Sequence, residues 1–197
     1  MKKRIAFFDF DGTITTKDTL LEIIKYHHGN AKFLFGFGLN APFIAAFKAG
    51  IISNQSAKER VLRFFFGRMP VSVFQEKCDQ FAKEELPALL RPKALAEIHK
   101  LKELGAEVVI VSASAGHWIS SWCADNNLKL IATRLDENDG KLTGKISGRN
   151  CHGDEKVARI KELFDLKQYD EIYCYGDTKG DKPMLGLATF SFYAPFR

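Results

Sequence analysis

Four aspartates stand in two short clusters, Asp9 with Asp11 and Asp177 with Asp181. A carboxylate can attack an electrophilic centre such as the phosphorus of a phosphate ester, and a second one nearby can carry a proton to the leaving group. Carboxylates this close repel each other unless a cation offsets their charge. Because Mg²⁺ prefers hard oxygen ligands, the two clusters together indicate a magnesium site with a nucleophile and a proton carrier.

Each aspartate cluster taken alone also has a plainer interpretation. The segment from Asp9 to Gly12 could be a solvated turn or the start of a calcium loop. A calcium loop needs a glutamate at its twelfth position, where this chain has Leu20. The segment from Asp177 to Asp181 could be an ordinary polar loop. The catalytic interpretation is favoured because both clusters directly follow apolar runs.

Four further residues suit the binding of a phosphate group. Gly12 lets the backbone approach a phosphate closely, and Thr13 can offer its amide at an anion-binding turn. Ser112 follows another apolar run and can donate its hydroxyl, while Lys156 can neutralise negative charge. Taken singly, Ser112 could be a helix N-cap and Lys156 a solvated surface lysine.

Three short apolar runs precede these polar residues and predict buried parallel strands: Ile5 to Phe8, Val108 to Val111 and Ile172 to Tyr175. Helical patterns separate the strands, and Asp139-Gly140 predicts a hairpin turn. The alternation predicts an α/β fold with a doubly wound parallel sheet. Ligands bind such sheets beyond the carboxyl ends of the strands, where the aspartates stand.

The segment 17–90 interrupts this alternation, because it is long and patterned as helix. It predicts a helical cap inserted into a core made of residues 1–16 and 91–197. Within it, 33–47 carries no charge and five of the chain's 17 phenylalanines, but its 15 residues are too few to span a bilayer. A face packed inside the cap is favoured, and a membrane-touching surface is the less favoured alternative.

Composition limits the classes of partner and location. The chain has 197 residues, 46% of them hydrophobic, and its net charge of +5 is scattered among acidic residues, so no nucleic-acid partner is expected. Its four cysteines are widely spaced, and the apolar run after the basic N-terminus is too short for a signal peptide. We therefore expect a cytoplasmic protein.

Four segments taken in order, FFDFDGTI, VVIVSAS, the GDEK that ends in Lys156, and YGDTKGD, resemble the signature motifs of the haloacid dehalogenase (HAD) superfamily. The resemblance covers the whole chain. The insertion after the first motif resembles the cap of the phosphoserine-phosphatase-like subfamily, subfamily IB. The resemblance implies a Rossmann-like core and a Mg²⁺-dependent phosphatase.

The resemblance also implies a role for each matching residue. Asp9 would be the nucleophile, and Asp11 the general acid that protonates the leaving alcohol and then activates water. The phosphate-binding groups would be Gly12, Thr13, Ser112, Ala113 and Lys156. The Mg²⁺ ligands would be Asp9, the backbone carbonyl of Asp11, Asp177 and Asp181.

The substrate stays open at this point. The favoured interpretation is a small soluble phosphomonoester such as phosphoserine, since Arg60 resembles the arginine that holds the substrate carboxylate in those enzymes. Asp18 stands where they carry a glutamate, and Gly180 where they carry an asparagine. The alternatives are a lipid phosphate of the phosphatidylglycerophosphate kind, transfer of the phosphoryl group to another alcohol, and a phospho-accepting signalling domain without turnover.

Overall fold

A single parallel sheet forms the centre of the computed structural model, which describes residues 2–197. The strands of the chain are β1 (Arg4–Phe8), β2 (Ala106–Ala115), β3 (Lys129–Thr133), β4 (Leu135–Asn138), β5 (Lys141–Ile146), β6 (Glu171–Gly176) and β7 (Phe190–Tyr193). Five of them make the sheet in the order β3-β2-β1-β6-β7, and every neighbouring pair is parallel. The predicted parallel α/β architecture is confirmed.

The helices lie between the strands and on both faces of the sheet. They are α1 (Thr19–Lys48), α2 (Asn54–Phe66), α3 (Val71–Glu84), α4 (Leu86–Leu89), α5 (Pro92–Glu103), α6 (Ser120–Asp125), α7 (Asp154–Leu163) and α8 (Lys182–Leu185). The first four occupy the segment predicted to form a cap. The exact extent of a cap domain, 17–90, stays a prediction.

The position of β1 decides where the chemistry can lie. In the chain, β2 and β3 extend the sheet on one side of β1, and the chain then crosses back to add β6 and β7 on the other. Phe8 at the end of β1 pairs with Ile110 in β2 and with Tyr175 in β6. The carboxyl ends of the three strands are therefore neighbours, at the point where the strand order reverses.

Alternate side chains of β1 enter two cores, one on each face of the sheet. Phe8 is fully buried in the larger cluster, which also holds Ile23 of α1 and Phe66 of α2. Phe7 is fully buried in the smaller cluster with Ile160 of α7. Successive side chains of a strand point to opposite faces of the sheet, so both faces are covered by packed helices. The sheet is thus doubly wound, as predicted.

The predicted hairpin is present as the antiparallel pair β4 and β5. Asp139 and Gly140 at its tip have φ of +49° and +70°, which suits a tight turn with two left-handed residues. The hairpin is also tied to the chain that follows α2. The Arg68 N–H donates to the Leu142 carbonyl at 2.7 Å, and the Leu142 N–H donates to the Met69 carbonyl at 2.9 Å.

Helix α1 begins at the N-cap Asp18 and is broken at Gly29, where φ is +75° and ψ is +165°. The residues 30–48 therefore run as a separate helical segment in a new direction. Gly36 on this segment is buried and faces Phe65 of α2 so closely that an added Cβ would lie 2.3 Å from the ring. Close approach of the two helices is what the glycine allows.

The phenylalanine-rich part of α1 has two unlike faces. Phe33 and Phe37 pack against the larger core, as the prediction of a packed face requires. Phe35, however, is 64% exposed and Phe43 is 39% exposed. Packing inside the cap thus accounts for one side of this segment only. Over residues 2–197, no helix is both long enough and apolar enough to cross a membrane.

Candidate active site

Three buried aspartates meet at the carboxyl edge of the sheet. Asp9 follows β1, Asp177 follows β6, and Asp181 ends a short 3-10 turn just beyond. One carboxylate oxygen from each lies within 4.8 Å of the others, and none of the three residues is more than 6% exposed. The structure therefore brings together three of the four residues predicted to hold a metal.

Lys156 in the first turn of α7 inserts its ammonium between two of these carboxylates. Its Nζ donates to Asp9 Oδ1 at 2.5 Å and to Asp181 Oδ1 at 2.7 Å, and the residue is only 1% exposed. Burial disfavours the charged lysine, but the two carboxylates outweigh it and raise the pKa of Lys156 above its usual value. The lysine thus stays charged beside Asp9.

The cluster still lacks positive charge. Burial raises the pKa of Asp9 to about 7, which the attraction of Lys156 opposes only in part and which the nearby Asp181 reinforces. Besides Lys156, the guanidinium of Arg197 contacts Asp177 Oδ2, so two cations face three buried carboxylates. A cluster of oxygen donors with this excess of negative charge fits a small, hard divalent cation. The residues present therefore suit Mg²⁺.

Asp181 also fixes the loop that follows β6. Its Oδ2 accepts hydrogen bonds from the backbone N–H of Asp177 at 3.2 Å and from that of Thr178 at 2.9 Å. The Thr178 hydroxyl donates to the same oxygen at 2.8 Å. Although burial disfavours the anion, Lys156 and these donors lower the pKa of Asp181 below its usual value. Asp181 therefore orients Asp177 and Lys156 as well as adding negative charge.

The side chain of Asp11 is not part of the three-aspartate cluster. Its Oδ1 accepts from the backbone N–H and the hydroxyl of Thr19, both at 2.6 Å. Its Oδ2 accepts from the Ser114 hydroxyl at 2.6 Å. These donors hold the Asp11 carboxylate against Thr19 of α1 and Ser114 of β2, outside the three-aspartate cluster, where a group that transfers protons could act. Neither Thr19 nor Ser114 was among the predicted site residues.

Gly12 and Thr13 form a turn that lies against both Asp9 and Asp177. The Thr13 hydroxyl lies 3.1 Å from Asp9 Oδ2 and 3.3 Å from Asp177 Oδ1. Gly12 has φ of +81°, and an added Cβ would lie 2.4 Å from Asp177 Oδ2. The glycine is required for two reasons, since a side chain there would be strained and would also displace Asp177.

The end of β2 supplies the third wall of the site. Ser112 is fully buried, and its hydroxyl accepts from the Ser114 N–H at 2.9 Å and lies 3.5 Å from Asp11 Oδ2. The carbonyl of Ala113 accepts a hydrogen bond from Lys58 at 2.5 Å. The predicted phosphate-binding residues Ser112 and Ala113 thus lie beside Asp11, across the site from Lys156.

A cleft of about 770 Å³ opens above these groups, between the sheet edge and the helices of the 17–90 segment. Asp9, Asp11 and Lys156 lie at its base, and Asp18 lines its side. Much of the remaining wall is apolar and comes from α1 and α2, including Leu20, Leu21, Phe37, Ile44, Phe47 and Val61. A cleft of this size has room for an organic group well beyond the phosphate itself.

Helix α2 presents Lys58 to the cleft, and not Arg60. Asn54, Ala57, Lys58 and Val61 all line the cleft, with the spacing of one helical face. Burial lowers the pKa of the Lys58 amine, although Asp11 and Asp18 partly oppose this. Arg60 lies about 200° around the helix from Lys58.

The side chain of Arg60 lies outside the cleft. Its guanidinium is 4.1 Å from the centre of the Phe43 ring, and its Nε is 3.4 Å from the Asn40 side-chain oxygen. Lys58 was not among the site residues predicted from the sequence, although the apolar Ala57 and Val61 near it mark the inner face of α2. The structure therefore separates the two cap residues predicted to bind substrate, since Asp18 lines the cleft and Arg60 does not.

Comparison with known proteins agrees with this geometry. The chain matches the haloacid dehalogenase-like hydrolase family over residues 6–186. Protein CicA of Caulobacter vibrioides is 34% identical over 98% of this chain and 86% of its own length. A phosphoserine phosphatase of Lactococcus lactis is 26% identical over 94% of this chain and 81% of its own.

Among solved structures, a protein of unknown function from Bordetella pertussis Tohama I superposes with a TM-score of 0.81 at 22% identity, covering 96% of this chain and 88% of its own. Buried aspartates after β1 and β6 and a buried lysine on α7 meet at the carboxyl edge of a parallel sheet, which is the usual place for the active site of an α/β enzyme. The chain belongs to the haloacid dehalogenase-like hydrolase family. The resemblance inferred from the four motifs is confirmed.

Proposed function

We propose that this enzyme hydrolyses phosphomonoesters through a covalent phosphate on Asp9, with Mg²⁺ bound beside it. The observation that carries the proposal is the buried contact of Lys156 with both Asp9 and Asp181, in a cluster that still lacks positive charge. A dianionic phosphate can approach an anionic nucleophile only where positive charge is concentrated, and Lys156 and a bound cation would supply that charge here. Phosphatases among the relatives of this chain support the same conclusion.

In the first half of the reaction, an oxygen of Asp9 attacks phosphorus and the bond from phosphorus to the ester oxygen breaks. Asp11, protonated at this stage, gives its proton to the leaving alkoxide. Lys156 and the Ser112 hydroxyl hold the oxygens of the transferring phosphoryl group. Asp9, Asp177, Asp181 and the Asp11 carbonyl would hold Mg²⁺, which supplies positive charge when bound.

In the second half, Asp11 accepts a proton from a water molecule, whose oxygen attacks the phosphorus of the aspartyl phosphate. The bond to Asp9 breaks, inorganic phosphate leaves, and both carboxyl groups return to their starting states. The hydrogen bonds from Thr19 and Ser114 hold Asp11 beside Asp9 for both transfers. This arrangement favours turnover over a long-lived phosphoprotein, so the signalling-domain alternative is disfavoured.

For the substrate, we propose a small phosphomonoester that carries a second charged group, with phosphoserine as the first candidate. Asp18 is positioned to meet a substrate amine and Lys58 a substrate carboxylate, because both line the cleft above Asp9. Lys58 would thus take the part first assigned to Arg60. A cytoplasmic location accords with four cysteines that are all buried and unpaired.

The apolar cleft wall favours a second candidate, a phosphomonoester whose organic part is itself apolar. Leu21, Phe37 and Phe47 contribute to this wall, and they offer contact to a hydrocarbon chain but no hydrogen bond. A lipid phosphate would bury its chain against these side chains. The two candidates differ in which cap residues matter, so they can be separated by substitution.

The test of the mechanism is Asp9→Asn, which keeps the size of the side chain and removes the attacking anion. Phosphate release should fall about a thousandfold or more on every active substrate. Asp125→Asn, at an exposed position on α6, is the matched control and should keep full activity. Substantial turnover by Asp9→Asn would contradict the proposed nucleophile.

A substrate panel completes the test. Phosphoserine, sugar phosphates, nucleotides and a short-chain lysophosphatidate are compared by released phosphate, with and without an added alcohol acceptor. Hydrolysis of phosphoserine alone would support the first candidate, and hydrolysis of the lysophosphatidate alone would support the second. Transfer to the added alcohol at the expense of free phosphate would identify a phosphotransferase.

A further inference from the structure

The helical segment 30–48 carries large apolar side chains on the side that faces solvent. Leu34 is 68% exposed, Phe35 64%, Leu39 54% and Phe43 39%. At about 100° per residue these four lie within one half of the helix, opposite the half that packs on α2. We call Leu34, Phe35, Leu39 and Phe43 the outer apolar face. A cluster of this kind on one helix is uncommon on a free surface and marks an interaction site.

A further large apolar side chain is exposed just beyond this segment. Ile51 is 76% exposed, and its backbone N–H is bonded to the Ala46 carbonyl at 2.9 Å. It thus lies at the carboxyl end of the same helical segment. It adds one exposed apolar side chain at the end of the segment that carries the outer apolar face.

The helical segment that carries the outer apolar face has basic but no acidic side chains. Between Glu22 and Glu59 the chain has no aspartate or glutamate. Lys32 is exposed on the same half of this helical segment, and the Arg60 guanidinium lies 4.1 Å from the ring centre of Phe43. Apolar side chains next to these two cations complement a surface of anionic headgroups over hydrocarbon.

The same helical segment also borders the catalytic cleft. Phe37, Ile44 and Phe47 line the cleft, while Phe35 and Leu39 point outward from neighbouring turns. The outer apolar face and the apolar wall of the cleft therefore lie on opposite sides of one helical segment.

We propose that the outer apolar face docks the enzyme on an anionic phospholipid surface. Phe35, Leu39 and Phe43 enter the interface between headgroups and hydrocarbon, and Lys32 and Arg60 lie against the lipid phosphates. The helix lies in the plane of the surface and does not cross it. This docking does not depend on the proposed phosphatase activity, because it uses residues outside the acidic cluster.

The experiment is flotation of the full chain with phospholipid vesicles. One set contains phosphatidylcholine alone, and the other contains phosphatidylcholine and phosphatidylglycerol in equal parts. We expect binding to the anionic set, weaker binding at high salt, and little binding to the neutral set. Asp9→Asn should bind as well as the wild type, which separates docking from turnover.

Two pairs of variants test which residues are responsible. Phe35→Ser should weaken binding to anionic vesicles about tenfold, and adding Leu39→Ser should weaken it by about another tenfold. Leu163→Ser, which removes a side chain that is 63% exposed on α7, is the matched control and should bind normally. Lys32→Glu should reduce binding to anionic vesicles only. Thermal melts confirm that each variant remains folded.

Several outcomes would overturn the proposal. Wild-type protein that stays in the dense fraction with anionic vesicles would do so directly. Equal effects of Phe35→Ser and Leu163→Ser would show that the outer apolar face is not the contact. A wild-type dimer by light scattering that Phe35→Ser converts to a monomer, without vesicle binding, would assign the face to a second copy of the chain.

Discussion

Replacement of Lys58 by methionine tests how the cleft selects its substrate. Methionine keeps most of the apolar stem of lysine and removes the ammonium. Two contacts already occupy this ammonium, the Ala113 carbonyl at 2.5 Å and the more distant Asn150 Oδ1 at 3.4 Å. One N–H therefore remains for a substrate anion. One charge-assisted hydrogen bond contributes about 1.5 kcal/mol at the lower end of its range, which corresponds to about tenfold in kcat/KM.

The assay compares kcat/KM for phosphoserine and for an aryl phosphate in the same set of variants. Lys58→Met should lower kcat/KM about tenfold for phosphoserine and much less for the aryl phosphate, which has no second anion. Arg60→Met is the matched control and should have little effect on either, because its guanidinium lies against Phe43. A larger loss for Arg60→Met than for Lys58→Met would refute the assignment of Lys58 and restore the one made from sequence.

Three further predictions concern the metal, the turn and stability. Mg²⁺ should raise the melting temperature of the wild type but not of Asp177→Asn, and Ca²⁺ should bind yet inhibit, because its larger shell distorts the approach of Asp9. Gly12→Ala should lose about 1–2 kcal/mol of stability from backbone strain, and Mg²⁺ should no longer raise its melting temperature. Gly148 has φ of +77° with open space around it, so Gly148→Ala should lose a similar amount of stability but keep the rise in melting temperature with Mg²⁺. Burial lowers the pKa of His27 from 6.5 to about 3, so the unfolded chain binds a proton that the folded chain does not, and stability falls as pH drops below 6.5. At about pH 5 the contribution of His27 lowers the free energy of unfolding by up to roughly 2 kcal/mol. Urea titrations at several pH values should show that His27→Phe removes this contribution, while a substitution at the exposed His99 does not.

The elements that carry the site were predictable because each has a strong local signature. The segments Ile5 to Phe8 and Ile172 to Tyr175 are apolar on both faces, which only a strand buried between two layers of helices requires. Asp139-Gly140 specifies its turn through backbone conformations that few residues adopt. Parallel strands then bring their carboxyl ends together, so the meeting of Asp9 and Asp177 follows from the fold class alone.

Side-chain direction on the helices of the 17–90 segment was not predictable in the same way. Lys58 and Arg60 are two residues apart, and only the rotational position of α2 decides which one enters the cleft. That position depends on long-range contacts such as Gly144 of the hairpin, where an added Cβ would lie 2.3 Å from the Cα of Arg63. The break at Gly29 likewise sets the direction of the segment 30–48, and the packing of that segment on α2 decides which of its phenylalanines are buried and which are exposed.

The hydrogen bonds between the hairpin and the chain after α2 also restrict how the segment 17–90 can move. The Arg68 and Val71 N–H groups donate to carbonyls at the hairpin tip, so the segment 17–90 is held at a third place besides its two chain connections. Because rotation of the whole segment about its two chain connections would break these hydrogen bonds, they oppose its opening as one rigid unit.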